Sequence, residues 1–453
     1  MFFAVLNSFA VLLGVMFVAY VFFILIPFLR YPKTPLGNPD DFVWHFFIPC
    51  RDEAAVIDTT IRRARHDFPG AHVWVIDDDS DDSTASIVQS HADLDDHVHL
   101  VQRRRPEART GKGDALNAAY WQLNEWLPAD ADRARMIVTV IDADGEMAPN
   151  ALDVVSSDDV FGIPTVGAAQ IAVWMNNRGD RKPFLNKGIV SNTIGRWLLR
   201  MQDLEFRTVI AGMQSLRART GTVGLGGNGQ FTRLTTLDEI GKQYGEPWHG
   251  ALLEDYELGV HVLLAGYTIK HVYDTHVSQE ALPSVRRLLT QRTRWAQGNI
   301  QCVRYIKDIV LSRHFDSAGV IETCYYLVLP FLQMLGMFAF LTLFGFQVAA
   351  SIQNPALLGN QLENAWGIMG LLVLFAIAPF AVWGPVYKLR CEPETSWPKA
   401  ILYGLGVWLY VYYMYICIAR AFTRIARGKT GWSKTRRNAE ELVVVGGSVA
   451  IEV

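Results

Sequence analysis

Charge is what this 453-residue chain has little of: 19% of its residues are charged and 50% are hydrophobic. A soluble protein carries about 25% charged residues, so a purely aqueous enzyme is disfavoured from the outset. Formal net charge is only -3. No global basic field is therefore present to draw in nucleic acid, and no nucleic-acid partner is expected. Five cysteines, Cys50, Cys302, Cys324, Cys391 and Cys417, lie far apart with no C-x-x-C pair. That spacing excludes a disulfide scaffold and a zinc ribbon, and fits a reducing compartment. A basic n-region and a small-residue cleavage site are also missing at the start, so the first segment reads as an uncleaved anchor.

What is abundant is apolar run length. Residues 1–29 hold no charged side chain, and Arg30 and Lys33 follow at once. About 20 apolar residues cross a bilayer. Basic residues directly after the run place that side in the cytoplasm. Three later uncharged stretches predict spans near 321–350, 365–387 and 400–421. The positive-inside bias then meets a conflict. The loop 351–364 lacks Lys and Arg and looks external, while Lys388, Arg390 and Lys399 mark 388–399 as cytoplasmic. Three late crossings put the tail outside, yet that tail, with Arg420, Arg424, Arg427, Lys429, Lys434, Arg436 and Arg437, is the most basic segment of the chain.

Between the apolar ends, residues 42 to about 275 alternate short β-branched runs with amphipathic stretches. VWHFFIP, AHVWVID, HVHLVQ and MIVTVIDAD read as strands, separated by helical segments such as GDALNAAYWQLNEWL. Such alternation predicts βαβ units, an α/β Rossmann-like mainly parallel sheet, and ligands outside the carboxyl ends of the strands.

Acidic clusters stand at those ends. Asp77-Asp78-Asp79 closes one strand and Asp142-Ala143-Asp144 follows another. Carboxylates packed together repel unless a cation or donor-rich ligand compensates, and a pair one residue apart can share a hard divalent ion. Each alone could be a solvated turn. Two in one sheet favour chemistry. Thr110-Gly111-Lys112-Gly113 offers close backbone approach and one positive charge, although the spacing of a Walker A loop is absent. Glu254-Asp255 and Gln291-Arg292-Thr293-Arg294-Trp295 complete the set. Arginines can cap a pyrophosphate and an indole can stack on a sugar. The plainer reading of 284–306 is a basic amphipathic helix on a membrane surface.

Taken in order, Asp77-Asp78, Asp142-x-Asp144, Glu254-Asp255 and Gln291-x-x-Arg294-Trp295 resemble the D, DxD, ED, QxxRW series of membrane-bound family-2 glycosyltransferases, which include the cellulose, chitin, hyaluronan and poly-N-acetylglucosamine synthases. Lys112-Gly113 with Asn117, and Gly226 to Phe231 as an acceptor-side loop, are similar too. Asp79 departs from the usual glycine, and Leu253 from a usual Thr or Ser; Asp tolerates the left-handed backbone a glycine would take.

The resemblance implies a GT-A-like cytoplasmic domain plus an α-helical transmembrane region in the cell membrane. Its layout would be an anchor at 1–30, the glycosyltransferase domain at 42–280, interface helices at 281–316, transmembrane helices at 317–422 and a basic tail at 423–453. Glu53, Asp77, Asp78, Lys112 and Asp142 would bind a nucleotide-sugar, a UDP-sugar first. Asp142 and Asp144 would hold Mg²⁺ or Mn²⁺. Asp255 would be the general base beside Glu254, and Gln291, Arg292, Arg294 and Trp295 would seat pyrophosphate and acceptor. The expected reaction is inverting transfer onto a growing polysaccharide coupled to export, with accessory export subunits or a homo-oligomer as partners. The alternative is non-processive transfer to a membrane lipid, giving a glycolipid.

Overall fold

In a computed structural model, which describes residues 2–354 and 365–429, the alternating segments form one mixed sheet. Its strands are β1 (Val43–Cys50), β2 (His72–Asp78), β3 (Val98–Arg103), β4 (Met136–Val140), β5 (Glu146–Met147), β6 (Val166–Met175), β7 (Gln230–Arg233) and β8 (Thr268–Gln279). They lie in the order β3-β2-β1-β4-β7-β6-β8-β5. The four strands read from the sequence are mutually parallel. The sheet then reverses at β7, antiparallel to both β4 and β6, before β6 and β8 pair in parallel again. Sequence pattern did not reveal β7, because four residues after a glycine-rich stretch carry too short a period.

Burial explains the strand composition. β4 is buried along its whole length, and Phe46, Phe47, Ile48, Val73 and Val75 are fully enclosed. Helices cover both faces, so these strands read as continuous apolar runs. On one face the helix Lys112–Trp126 lays Ala115, Leu116, Ala119, Tyr120 and Leu123 against the sheet, an i, i+1, i+4, i+5, i+8 stripe. That packing fixes Lys112 at the helix start, pointing toward the carboxyl ends of β1, β2 and β4.

Among the described residues, four helices are long and apolar enough to cross a membrane: Val5–Leu29, Ser317–Gln353, Met369–Arg390 and Trp397–Ala426. Their positions match the four runs read from the sequence. The first three pack side by side. Tyr20 meets Tyr325 at 4.9 Å between ring centroids, Phe17 meets Phe380 at 5.0 Å, and Leu13 faces Gly336. The Ser317 helix begins with a side-chain cap, Asp316 accepting from Gly319 N at 2.6 Å. The Trp397–Ala426 helix behaves differently. A Cβ on Gly384 would lie 2.1 Å from the Ala400 carbonyl, so only glycine admits this close crossing at its start. Residues 355–364 of the expected external loop, and the tail beyond Lys429 with Lys434, Arg436 and Arg437, lie outside the described residues.

Candidate active site

The carboxyl ends of β1, β2 and β4 open into a cavity of about 360 Å³. Of the residues singled out from the sequence, Glu53, Asp78, Lys112, Asp142, Asp144, Glu254, Asp255, Gln291, Arg294 and Trp295 line it. Asp77 and Arg292 do not. The chain has brought together segments up to about 240 positions apart in sequence onto one hollow.

Lys112 is the centre of its acidic pole. Its Nζ donates to Asp142 Oδ1 and to the Gly227 carbonyl, both at 2.7 Å, and lies 4.0 Å from Glu254 Oε1. Burial alone would lower the proton affinity of this ammonium, but Asp142 and then Glu254 raise it further, so the group stays charged. Glu254 and Asp255 occupy the first turn of the helix Glu254–Leu264, where the positive end of the helix favours carboxylates. Burial opposes that. It pushes both carboxyls upward; Asp255 raises Glu254 further, while Lys112 pulls each back down. Gly227 makes the arrangement possible, since a Cβ there would sit 2.9 Å from Lys112 Nζ and 3.1 Å from Asp255 Oδ2.

The loop carrying Gly227 is held by buried amides that sequence reasoning did not find. Gln170 on β6 accepts from Gly226 N at 2.7 Å and donates to the Asn228 carbonyl at 2.9 Å. Asn228 accepts from Asp142 N at 3.2 Å and donates to Gln279 at 3.0 Å. Glu280, at the end of β8, lines the cavity and donates its backbone N–H to Asp144 Oδ2 at 3.2 Å. No spacing signal joins positions so distant, although the loop itself was recognisable as Gly226 to Phe231.

Asp77 is fully buried and holds the turn: its carboxylate accepts from Ser80 N at 3.2 Å and from Arg104 Nη1 at 3.1 Å. Asp79 takes φ +59°, the left-handed conformation expected of it. Asp78 faces the cavity, tied by Arg103 and by Arg109 N at 3.0 Å.

On the opposite wall runs the helix Val285–Cys302. Gln291, Arg294 and Trp295 face the cavity, and the Trp295 indole lies edge-on to Phe206, 6.1 Å between centroids. Arg292 turns away. It is 5% exposed, makes two bonds to Glu205 at 2.6 and 3.3 Å, and stacks 4.2 Å from the Trp295 ring. The role in seating pyrophosphate implied for Arg292 therefore meets a guanidinium already held by a carboxylate.

Asp142 and Asp144 supply hard oxygen donors, but among the described residues no group of three or more His, Cys, Asp or Glu is placed to hold an ion by itself. Two carboxylates suit a cation that completes its shell with water and substrate phosphates, as Mg²⁺ and Mn²⁺ do.

The family model described as glycosyltransferase like family 2 matches residues 43–298. This chain belongs to that family. It is a family-2 hexosyltransferase, and the matched region covers every cavity-lining residue named from the sequence. A β-monoglucosyldiacylglycerol synthase of Synechocystis sp. is 27% identical over 406 residues, covering 86% of this chain and 74% of that protein. A protein of the same name from Trichormus variabilis is 28% identical over 276 residues, and there the chain spans 52% of the relative's length. The mannosyltransferase PcManGT from Pyrobaculum calidifontis, solved with GDP-Man and Mn²⁺, superposes with a TM-score of 0.56 at 16% identity, over 92% of this chain and 98% of its own. That likeness bears out the GT-A-like fold.

Removing Arg292 separates structure from ligand binding. Arg292→Ala leaves the half-buried Glu205 without its cation, a loss that approaches the roughly 3–5 kcal/mol of breaking a fully buried pair. We expect a large fall in unfolding temperature in detergent, with nucleotide affinity of the folded fraction within about threefold of the parent, an effect of under about 0.7 kcal/mol. A selective loss of nucleotide affinity at unchanged stability would return Arg292 to the binding set.

Proposed function

We propose that this enzyme transfers a hexosyl unit, with inversion, from a nucleoside diphosphate sugar to a hydroxyl of a membrane glycerolipid. The observation that carries this reading is the two-sided cavity. Its acidic pole, Asp142, Asp144, Glu254 and Asp255, is continuous with a wall of Phe206, Ile210, Met213, Leu252 and Tyr326. Tyr326 belongs to the apolar helix Ser317–Gln353. A site that must hold a charged diphosphate and a lipid together needs both surfaces within one hollow. The similar β-monoglucosyldiacylglycerol synthases support the same choice, so the lipid acceptor now stands ahead of the growing polysaccharide.

In this reading Glu53 and Asp78 hold the nucleoside, a UDP-sugar first, while Asp77 shapes their turn from behind. Lys112 faces the diphosphate. Asp142 and Asp144 hold a divalent cation, which when bound neutralises charge on the departing diphosphate. Asp255 takes the proton from the acceptor hydroxyl as its oxygen attacks the anomeric carbon from the face opposite the diphosphate, which gives inversion. Glu254 and Lys112 set the proton affinity of that base from either side. Gln291 and Arg294 contact pyrophosphate and acceptor, and Trp295 offers its face to the sugar or glycerol, held upright by Arg292. The catalytic region sits on the cytoplasmic side of the cell membrane, where nucleotide-sugars are made.

Purified protein given UDP-glucose and dispersed diacylglycerol, with Mn²⁺, should yield a chloroform-soluble glycolipid of fixed size, and excess chelator should abolish it. A water-soluble ladder of polymer instead would restore the polysaccharide reading.

Asp255→Asn should reduce transfer by about 10²–10⁴ while donor affinity survives. The base works only when ionised and burial raises its pKa, so kcat/KM should fall as pH drops through a value above the ordinary aspartate range. Lys112→Met removes a lowering influence and should move that acid limb upward. An unmoved limb would place the base elsewhere.

Trp295 discriminates between a ring platform and a membrane anchor. Trp295→Leu should lose about tenfold more acceptor kcat/KM than Trp295→Phe, roughly the 1.4 kcal/mol of an aromatic contact, at equal donor affinity. Equal activity in the two variants, matched for inserted protein, would make Trp295 an anchor only.

A further inference from the structure

The apolar helix Trp397–Ala426 is 30 residues long, about 45 Å at 1.5 Å per residue, ample to cross a hydrocarbon core of about 30 Å. Its contacts forbid an upright position. Near its start, the Arg200 guanidinium lies 5.6 Å from the Tyr403 ring, and a Cβ on Gly406 would meet Met201 Sδ at 3.0 Å. Midway, Tyr410 and Tyr413 donate to the two oxygens of Glu205 at 2.9 and 2.7 Å. Near its end, Arg424 Nε donates to Gln297 Oε1 at 2.7 Å, and Gln297 donates to the Lys429 carbonyl at 2.8 Å. Each of these polar partners belongs to the catalytic region, while Gly404 crosses the Met369–Arg390 helix at Gly384 and Phe422 meets Phe331 at 5.2 Å. Were the helix a span, Glu205 and Arg292 would lie at mid-bilayer and Arg200 and Gln297 at opposite faces, a costly placement for groups packed beside a nucleotide cavity.

The other three long helices touch the catalytic region at one end only. Phe28 packs on Tyr273, Glu322 pairs with Arg217 at 2.8 Å, and Tyr387 reaches Asp203. Their far ends, at Val5, Leu341, Ile352 and Leu371, are exposed apolar surface.

We infer that the Trp397–Ala426 helix lies along the membrane surface, so that the chain crosses the bilayer three times and its arginine-rich end stays on the catalytic side. Its outward residues Ile401 and Leu402, then Leu405, Leu409, Tyr412 and Ile416 at steps of three or four, are exposed. They form one apolar stripe facing the lipid leaflet, as in helices that lie in the interface plane. The assignment also removes the conflict in charge. Arg30 and Lys33, then Lys388, Arg390 and Lys399, then Arg420, Arg424, Arg427 and Lys429 all fall on one side, and Gln353, at the far end of the Ser317 helix, falls on the other.

Depth measurement tests this on the full chain in nanodiscs. Nitroxides placed singly at Ile401, Leu405, Leu409 and Ile416 should report one shallow immersion depth throughout. A depth that rises to a mid-helix maximum and falls again would overturn the inference. In sealed vesicles, an impermeant maleimide should label Lys429→Cys and Leu94→Cys from the same side, judged against the unsubstituted chain. Labelling of the two from opposite sides would equally overturn it.

Discussion

A single half-buried carboxylate, Glu205, joins the three parts of this molecule. It sits in a π-helical turn, Glu205–Ile210, that interrupts the helical segment running from Ile189 to Thr220. Its two oxygens take Arg292 from the cavity wall and Tyr410 and Tyr413 from the last apolar helix. Four donors to one carboxylate offset its desolvation, whereas any one partner alone would leave charge buried and poorly solvated. The wide turn, with its i→i+5 bonding, lets Glu205 project toward those donors while Phe206 packs edge-on against Trp295, 5.4 Å from the same Arg292 guanidinium. Cavity wall, last apolar helix and catalytic region are thus positioned by the same few atoms.

A second ionic cluster does comparable work at the end of another apolar helix. Arg200 and Arg178 pair with Glu392 at 2.9 and 3.2 Å, and Arg207 pairs with Asp203 at 3.2 Å. Arg200, Arg207 and Asp203 all meet the hydroxyl of Tyr387, the last buried ring of the Met369–Arg390 helix. Where apolar burial would let two layers slide, directional ion pairs fix their register. The apolar helix itself therefore needs little charge, since the ion pairs stand at its end.

Much of the fold could be read from strand and helix periodicity, because β1, β2, β3 and β4 are buried on both faces and announce themselves as apolar runs. The strand β7 could not, being four residues whose place depends on pairing with β4 and β6. The acidic ends of β2 and β4 were legible because carboxylates seldom follow apolar runs without cause. Gln170, Asn228 and Glu280 were not, since each acts through a partner distant in sequence. Arg292 shows the limit of motif reasoning from the other direction. Its neighbours Gln291, Arg294 and Trp295 face the cavity, but helical geometry turns the intervening position toward Glu205. Asp77 and Asp78 divide likewise, because adjacent residues on a strand point to opposite sides.

Length and apolarity alone made the last helix a span, and here tertiary contact outweighs composition. Hydropathy measures what a segment could lie in, whereas orientation depends on what its two faces touch. One face of this helix meets Arg200, Glu205 and Gln297 over its length, further contacts run to Ala381 and Phe331, and the exposed stripe from Ile401 to Ile416 is what remains for lipid in the inferred placement. That division has a consequence for catalysis. Gln291 and Trp295 stand on the helix packed directly against it, so the inferred placement would hold the cavity wall at the level of the leaflet. In the proposed reaction, an acceptor whose hydroxyl sits among lipid headgroups then needs no extraction into water to reach Asp255. The burial that raises the proton affinity of Asp255 and Glu254 belongs to that same pocket. The geometry that would bring the acceptor to the proposed base would therefore also tune it.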